Sequence, residues 1–244
     1  VWITKPESPD EVFEMTLLCQ DRQGYLNLSQ IISHAQYHRN KHHQPCVSLE
    51  YVFERHEGLI VLADSHVSDV GQHIVNQKLD LAVDAMLQWK QVFVDRYYLA
   101  VAEINRPHES SVNSAAIYMA AHQEVPMVAS GRCRFLEQDD FNAHEARVCI
   151  NRGEILDDPR RAKEHSPKQY LRSADEMQTL FADIPAAIAN SVEIAKRCNV
   201  TLTLDKNYLP NFPVPDGTDI KQFFEKQAQI GLQRRLADLQ DKDQ

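Results

Sequence analysis

Three short apolar runs decide the fold: LIVLA at residues 59–63, YYLAV at residues 97–101 and PMVA at residues 126–129. Each has the length and composition of a buried strand. Helical patterns, with apolar residues three and four positions apart, lie between them at residues 69–75, 80–94 and 111–122. Strands that alternate with helices pair in parallel through right-handed crossovers. The sequence therefore predicts an α/β sheet or barrel.

The same alternation extends towards the N-terminus. FEMTLLC at residues 13–19 has the pattern of a strand, and residues 24–38 have that of an amphipathic helix. A second helix is predicted at residues 49–55. We expect residues 13–19 to form one strand of the same parallel arrangement.

The pattern changes after about residue 150. Residues 151–169 are polar and rich in turn formers, which predicts an exposed loop. Ser173 and Glu176 form a capping box that begins a helix, and Pro185 opens the next one. The proline-rich residues 207–217 read as a linker. Beyond it, one apolar stripe marks a long helix: Ile220, Phe224, Ala228, Leu232, Leu236 and Leu239.

The composition is that of a globular cytoplasmic protein and excludes several functions. Of the 244 residues, 43% are apolar, and no apolar run is long enough to span a membrane. The five scattered cysteines favour reduced thiols over a disulfide framework. No glycine-rich phosphate-binding loop is present, and the net charge of −9 argues against non-specific binding to nucleic acid. The start lacks Met, which favours a processed chain or a piece of a longer one.

Two groups of histidines are candidate metal ligands. One is the cluster His34, His38, His42 and His43, which lacks the acid and the third ligand of a zinc-protease motif. We favour a solvated helix end there. The other is His144, which shares a helical face with Phe141 and Val148 and so faces inward. His144 is either a hydrogen-bonded core residue or a metal ligand with Asp140 or Asn142 as its neighbour, although a neutral Asn is a poor ligand for a hydrolytic metal.

Several long matches in order carry a resemblance to a known family. FNAHEARVCINRGEILDDPRR (141–161), SPKQYLRSADEM (166–177) and LFADIPAAIANSVEIAKRCNV (180–200) resemble the polymerase-and-histidinol-phosphatase (PHP) domain of bacterial DNA polymerase III alpha subunits. Shorter matches run from residue 17 to residue 141, and residues 223–236 resemble the lead-in to the polymerase core. The resemblance implies an incomplete PHP-type distorted (β/α)₇ barrel followed by an α-helical extension. It implies a PHP domain at residues 1–206 and a linker with the first helix of the polymerase core at residues 207–244.

The resemblance also implies that the metal site of the family is degenerate here. The family's H-x-H motif would precede residue 1, so the first barrel strands are expected to be missing. The family's D-x-H metal motif reads Asn142-Ala-His144, with an amide in place of the acid. Glu14 stands where the family often has His, and Arg132 places a cation where the family has an acid. We expect the remnant formed by Asn142 and His144 to be unoccupied, and no residue of the chain to be catalytic.

The resemblance implies a function for the parent protein, namely template-directed DNA synthesis with Mg²⁺ held by carboxylates beyond this chain. No cofactor is expected in the fragment itself. We expect the PHP portion to stabilise the polymerase and to dock the proofreading 3′–5′ exonuclease subunit and other replisome subunits. DNA would be contacted through the parent polymerase, and no membrane would be involved.

Two alternatives remain open at this stage. One is an active metal-dependent phosphoesterase or 3′–5′ exonuclease centred on His144. The other is a DNA-binding module that uses the basic residues of the exposed loop: Arg160, Arg161, Lys163 and Lys168.

Overall fold

A computed structural model of the chain describes residues 1–5, 8–41, 43–207, 209, 212–215 and 217–240. The chain divides into two compact units, Val1–Thr201 and Leu202–Gln244. The boundary between these compact units follows Thr201, five residues before the end of the predicted PHP domain at residue 206. The structure therefore assigns the predicted linker to the second unit, together with the helix that follows it.

Seven strands of the described residues form two open sheets. Their bounds are β1 Trp2–Lys5, β2 Ser8–Glu14, β3 Thr16–Cys19, β4 Val47–Ser48, β5 Leu59–Asp64, β6 Tyr97–Ala102 and β7 Met127–Ser130. One sheet has the order β2-β1-β4 and the other has the order β3-β5-β6-β7. β5, β6 and β7 pair in parallel, so the prediction made from the three apolar runs is confirmed. The α/β class is likewise confirmed, but these sheets do not close into a barrel.

The prediction for residues 13–19 is wrong in two respects. The run is divided at the fully buried Met15 between β2, which belongs to one sheet, and β3, which belongs to the other. β3 also pairs antiparallel with β5, with Thr16 opposite Leu62. An apolar run reports burial but carries no information about strand direction, so the sequence pattern could not reveal either feature.

Nine helices are present among the described residues. They are α1 Arg22–Tyr37, α2 Leu49–Phe53, α3 Asp69–Val75, α4 Leu79–Phe93, α5 Glu109–His122, α6 Phe141–Arg152, α7 Ala174–Leu180, α8 Pro185–Arg197 and α9 Ile220–Gln240. The capping box of Ser173 and Glu176 is formed, and Pro185 stands in the first turn of α8. No helix in the described part of the chain has the length and apolarity that crossing a membrane requires.

Apolar clusters cover both faces of the sheet that contains the parallel strands. On one face, Leu59, Val61 and Leu99 pack with the helices α3, α4 and α5 around the fully buried Trp89. On the other face, Ile60, Tyr98, Ala100 and Val128 pack against Ile194 of α8. β6 is therefore buried along its whole length. This two-sided packing holds the carboxyl ends of the parallel strands in place.

The start of α1 makes an unusually close backbone contact with the turn before β5. A Cβ atom on Gly24 would lie 1.8 Å from the carbonyl oxygen of Gly58. The same carbonyl accepts a hydrogen bond of 2.8 Å from the amide of Gln20, and the carboxylate of Asp21 caps α1 by accepting from the Gly24 amide. Only glycine at position 24 allows the helix to approach this closely.

Candidate functional site at the strand ends

Charged side chains meet at the carboxyl ends of the parallel strands, the edge where α/β proteins place their sites. Asp64 is the last residue of β5, Arg106 follows β6 and Arg132 follows β7. Glu14 ends β2 and reaches the same place from the other sheet. We call these four residues the strand-end ion network.

The network is a set of close, directed ion pairs. Arg106 donates two hydrogen bonds to Asp64, at 2.6 Å from Nη1 to Oδ1 and 3.0 Å from Nη2 to Oδ2. The Nη1 atom of Arg132 lies 3.0 Å from Oδ2 of Asp64, and its Nη2 atom lies 3.2 Å from Oε1 of Glu14. Two guanidinium groups thus neutralise two carboxylates. Bidentate pairing of this kind is the strong form of the arginine–carboxylate contact.

Burial and local backbone fix the carboxylate of Asp64. Its side chain is 9% exposed, and its Oδ1 atom also accepts hydrogen bonds from the amides of His66 and Val67, at 2.9 and 3.2 Å. Burial alone would raise the pKa of Asp64. The hydrogen bonds and charge of Arg106, helped by Arg132 and the His66 amide, outweigh burial and lower the pKa from 3.8 to about 2. The carboxylate is therefore ionised but fully engaged.

These contacts occupy the carboxylate oxygens that a metal ion would need at the strand ends. Both oxygens of Asp64 are bound by arginines, and a divalent cation placed there would meet two guanidinium charges. The adjoining cavity has a volume of about 230 Å³, below the roughly 300–1,000 Å³ of ordinary ligand pockets. Arg132, which stands where the resemblance puts an acid, is the cation that contacts both Asp64 and Glu14.

The depressed pKa of Asp64 predicts a dependence of stability on pH. A carboxyl whose pKa is lower in the folded protein stabilises the fold above its unfolded pKa, and loses that contribution as the pH falls through the folded value. For Asp64 the window runs from about 3.8 down to about 2, and the contribution is roughly 2 kcal/mol. Urea unfolding of the wild type and of Asp64→Asn between about pH 5 and pH 2 should show their stability difference shrinking by most of this amount. A difference that stays constant over this range would contradict the assignment.

The structure separates the two residues of the predicted D-x-H remnant. Asn142 is exposed on α6, whereas His144 is 7% exposed, as its helical face predicted. The neighbours of His144 are the buried Glu145, which follows it on α6, and the half-buried His165 from the loop after α6. Burial, and then the charge of Arg147, lower the pKa of the His144 imidazole, although Glu145 opposes this. Asn142 is therefore not the partner that the structure gives to His144.

The four basic residues of the proposed DNA-binding loop are not equivalent. Arg161 has a side chain only 5% exposed and donates to Glu145 at 2.7 Å, so it faces the protein. Arg160 is exposed but forms a two-point contact with the carboxylate of Asp158. Lys163 and Lys168 are exposed. Internal pairing of the two arginines reduces the charge that this loop could offer to DNA.

The histidine cluster near the end of α1 has its own packing. The rings of His34 and His38 stack at 3.9 Å between centroids, and His34 also stacks on Tyr51 at 3.8 Å. Nδ1 of His38 lies 2.9 Å from the His34 carbonyl oxygen. His43 is exposed, and His42 lies outside the described residues. The stacked rings agree with the predicted helix end.

The first comparison with known proteins concerns the N-terminal part of the chain. The family model of the PHP domain matches residues 1–106. That stretch contains three members of the strand-end ion network: Glu14, Asp64 and Arg106. The match agrees with the PHP resemblance of the sequence and with the mixed α/β fold.

The second comparison finds individual proteins that are similar to almost the whole chain. The chain is 40% identical over 243 residues to DNA polymerase III subunit alpha of Pseudomonas fluorescens, covering 100% of this chain and 21% of the relative. It is 41% identical over 228 residues to DNA polymerase III subunit alpha of Escherichia coli strain K12, covering 93% of this chain and 20% of the relative. The protein of the same name from Xylella fastidiosa strain Temecula1 is 42% identical over 238 residues, with coverages of 96% and 19%.

These comparisons confirm the resemblance that the sequence motifs predicted. The similarity to DNA polymerase III subunit alpha extends over nearly the whole of this chain. The chain spans about a fifth of the length of these curated relatives.

Sequence reasoning missed four residues that the structure places at its candidate sites. Asp64 had a signal, because an acid directly after a buried parallel strand lies at the functional edge of a sheet. Glu145 also had one, since it follows the buried His144. Arg106 and His165 had none, because their partners are remote in sequence and only the tertiary fold brings them together.

Proposed function

We propose that this chain is part of a DNA polymerase III alpha subunit in which the PHP portion is a scaffold without hydrolytic activity. The names of the relatives and the identity over nearly the whole chain support the assignment to a DNA polymerase III alpha subunit. In this proposal the two open sheets are arcs of a distorted (β/α)₇ PHP barrel. DNA synthesis would use Mg²⁺ and carboxylates elsewhere in the parent polymerase, in the cytoplasm.

The strand-end ion network is the observation that supports a scaffold without hydrolytic activity. A two-metal hydrolytic centre needs carboxylates and imidazoles with free lone pairs directed at one point. Here Asp64 is bound by Arg106 and Arg132, and Glu14 is bound by Arg132. A metal would have to displace buried arginines and so break their ion pairs with Asp64 and Glu14, at a cost of several kcal/mol. In this proposal the arginines occupy the place of metal ions. Their positive charges hold together the carboxylates of neighbouring elements.

A rigid domain without its own chemistry can still provide a surface for a partner. The resemblance implies that this partner is the proofreading 3′–5′ exonuclease subunit, and we propose that the unit Val1–Thr201 docks it. Other replisome subunits and DNA would be reached through the parent polymerase.

The scaffold proposal predicts that the chain does not hydrolyse phosphodiesters. With excess Mn²⁺ or Zn²⁺ and a chromogenic phosphodiester, we expect a rate equal to that of the His144→Ala variant. This variant serves as the control because the rival phosphoesterase hypothesis centres on His144. Metal-dependent hydrolysis that His144→Ala abolishes would replace the scaffold with an active phosphoesterase.

The purified chain can also be used to test the proposed docking of the exonuclease subunit. Titration of the chain with the exonuclease subunit of its own organism, followed by calorimetry, should give a saturable one-to-one complex. The exonuclease should keep its activity in that complex. Absence of binding by a chain that unfolds cooperatively would remove the docking role and leave only stabilisation of the polymerase.

A further inference from the structure

Three buried polar atoms converge beside α6 with no hydrogen-bond partner. They are Nδ1 of His144, Oε1 of Glu145 and Nδ1 of His165. The side chains of His144 and Glu145 are each 5% exposed, and that of His165 is 15% exposed. Buried polar atoms are normally paired, and leaving one unpaired costs about 1–3 kcal/mol. Three such atoms at one point indicate that something binds between them.

The separations between these atoms fit a metal ion better than a hydrogen bond. Oε1 of Glu145 lies 3.6 Å from Nδ1 of His144 and 3.5 Å from Nδ1 of His165. A direct N–H···O hydrogen bond would need about 2.7–3.2 Å. Ligands bound tetrahedrally to one zinc ion at about 2.0–2.1 Å stand roughly 3.3–3.5 Å apart. When each of the three residues offers one ligand atom, these atoms lie within 4.8 Å of one another.

The surrounding contacts hold the ligand atoms in place. Arg161 donates to Oε2 of Glu145 at 2.7 Å, so one carboxylate oxygen is fixed and the other remains for a ligand. Next to His165, the Ser166 amide donates to Oε1 of the buried Gln169, whose Nε2 donates to the Arg132 carbonyl. The loop is thereby fastened to the body of the unit on the side of His165.

The chemical types of the three ligand atoms indicate which cation would bind. Two imidazole nitrogens and one carboxylate oxygen are typical of zinc, whereas magnesium and calcium prefer sites made of oxygen alone. The positive charges of Arg147 and Arg134 act on His144, and Arg161 neutralises Glu145. A hard cation that depends on net negative charge is therefore disfavoured.

We propose that His144, Glu145 and His165 bind one zinc-type divalent cation, with water as the fourth ligand. The ion fastens the loop after α6 to that helix. This site shares no residue with the strand-end ion network, so it goes beyond the scaffold proposal and does not depend on it. It replaces the expectation of an unoccupied remnant at Asn142 and His144, because His144 here acts with Glu145 and His165 and not with Asn142. Its role is structural and involves no hydrolysis.

The test measures zinc binding and stability, not activity. The chain is stripped with a chelator, given one equivalent of Zn²⁺, passed through a desalting column and assayed by mass spectrometry. We expect about one zinc per chain and a higher melting temperature with Zn²⁺ than with EDTA. Co²⁺ in place of Zn²⁺ should give the intense visible bands of a tetrahedral site.

Variants assign the ion to these side chains. His165→Gln and His144→Gln should each weaken zinc binding at least about tenfold. The matched control His122→Gln changes an exposed histidine on α5 and should bind zinc like the wild type. Glu145→Gln is less decisive because it also removes the partner of Arg161, so His165→Gln is the main test. A wild type that retains no zinc, or zinc binding that His165→Gln leaves unchanged, would overturn the proposal.

Discussion

Asp64→Ala is expected to lower the free energy of unfolding by about 4 kcal/mol, because it leaves two buried guanidinium groups without their shared carboxylate. The side chains of Arg106 and Arg132 are each only 15% exposed, so water cannot fully replace the lost partner. Such a loss is a large fraction of the 5–15 kcal/mol that stabilises a typical domain. Urea denaturation followed by circular dichroism and tryptophan fluorescence measures it.

The matched control is an arginine–aspartate pair in which the carboxylate is exposed. Asp95 lies 3.3 Å from Arg197 and is 76% exposed, so Asp95→Ala should change stability by at most about 0.5 kcal/mol. Equal effects of Asp64→Ala and Asp95→Ala would show that the strand-end ion network contributes no more than a surface contact.

A combined variant tests whether the charges of the network serve only to neutralise one another. Replacing a whole buried ion cluster by apolar side chains of similar size is often neutral or stabilising. Asp64→Leu together with Arg106→Met, Arg132→Met, Glu14→Gln and Glu109→Gln should therefore regain most of the stability that Asp64→Leu alone loses. Glu109 is included because its Oε1 atom lies 3.9 Å from Nε of Arg106 and its side chain is 12% exposed. Persistent instability of the combined variant would mean that the charges do more than satisfy one another.

Gly24→Ala should be comparably damaging, by about 3 kcal/mol or more, for a steric reason. The new methyl group would lie 1.8 Å from the carbonyl oxygen of Gly58, and backbone atoms cannot move aside as a flexible side chain can. α1 would have to withdraw from the turn before β5, which would break the amide hydrogen bond from Gln20 to Gly58. The measurement is the denaturant midpoint of unfolding.

Gly231 provides the matched control for this prediction. It is also a helical glycine, but a Cβ atom there meets nothing within 4 Å. Gly231→Ala should therefore strengthen α9 by up to about 1 kcal/mol, since alanine has the higher helix propensity. If both substitutions shifted the midpoint in the same direction, the close contact at Gly24 would not be what limits that position.

The helices were largely predictable because their information is local. The apolar spacing, the capping box at Ser173 and the proline at position 185 each specify a helix or its start within a few residues. The three parallel strands were predictable from their apolar runs and intervening helices. Residues 13–19 were not, because the division at Met15 and the antiparallel pairing of β3 depend on which distant strand lies alongside.

The candidate sites were predictable only in part, because contacts between residues distant in sequence depend on the folded structure. The position of Arg132 and the inward face of His144 could be deduced from the sequence. The pairing of Asp64 with Arg106 spans 42 residues and needs the folded sheet to bring it about. His165 lies in a polar loop, where nothing in the sequence marks it as the neighbour of a buried helix.

The mutual dependence of the strand-end charges has an evolutionary consequence. An acid at position 132 would set three carboxylates against the single guanidinium of Arg106, and removing either arginine first would leave a buried carboxylate without its cation. Each single substitution that replaces a network charge thus passes through a less stable protein, which selection removes. The network is therefore expected to change only through several coordinated substitutions.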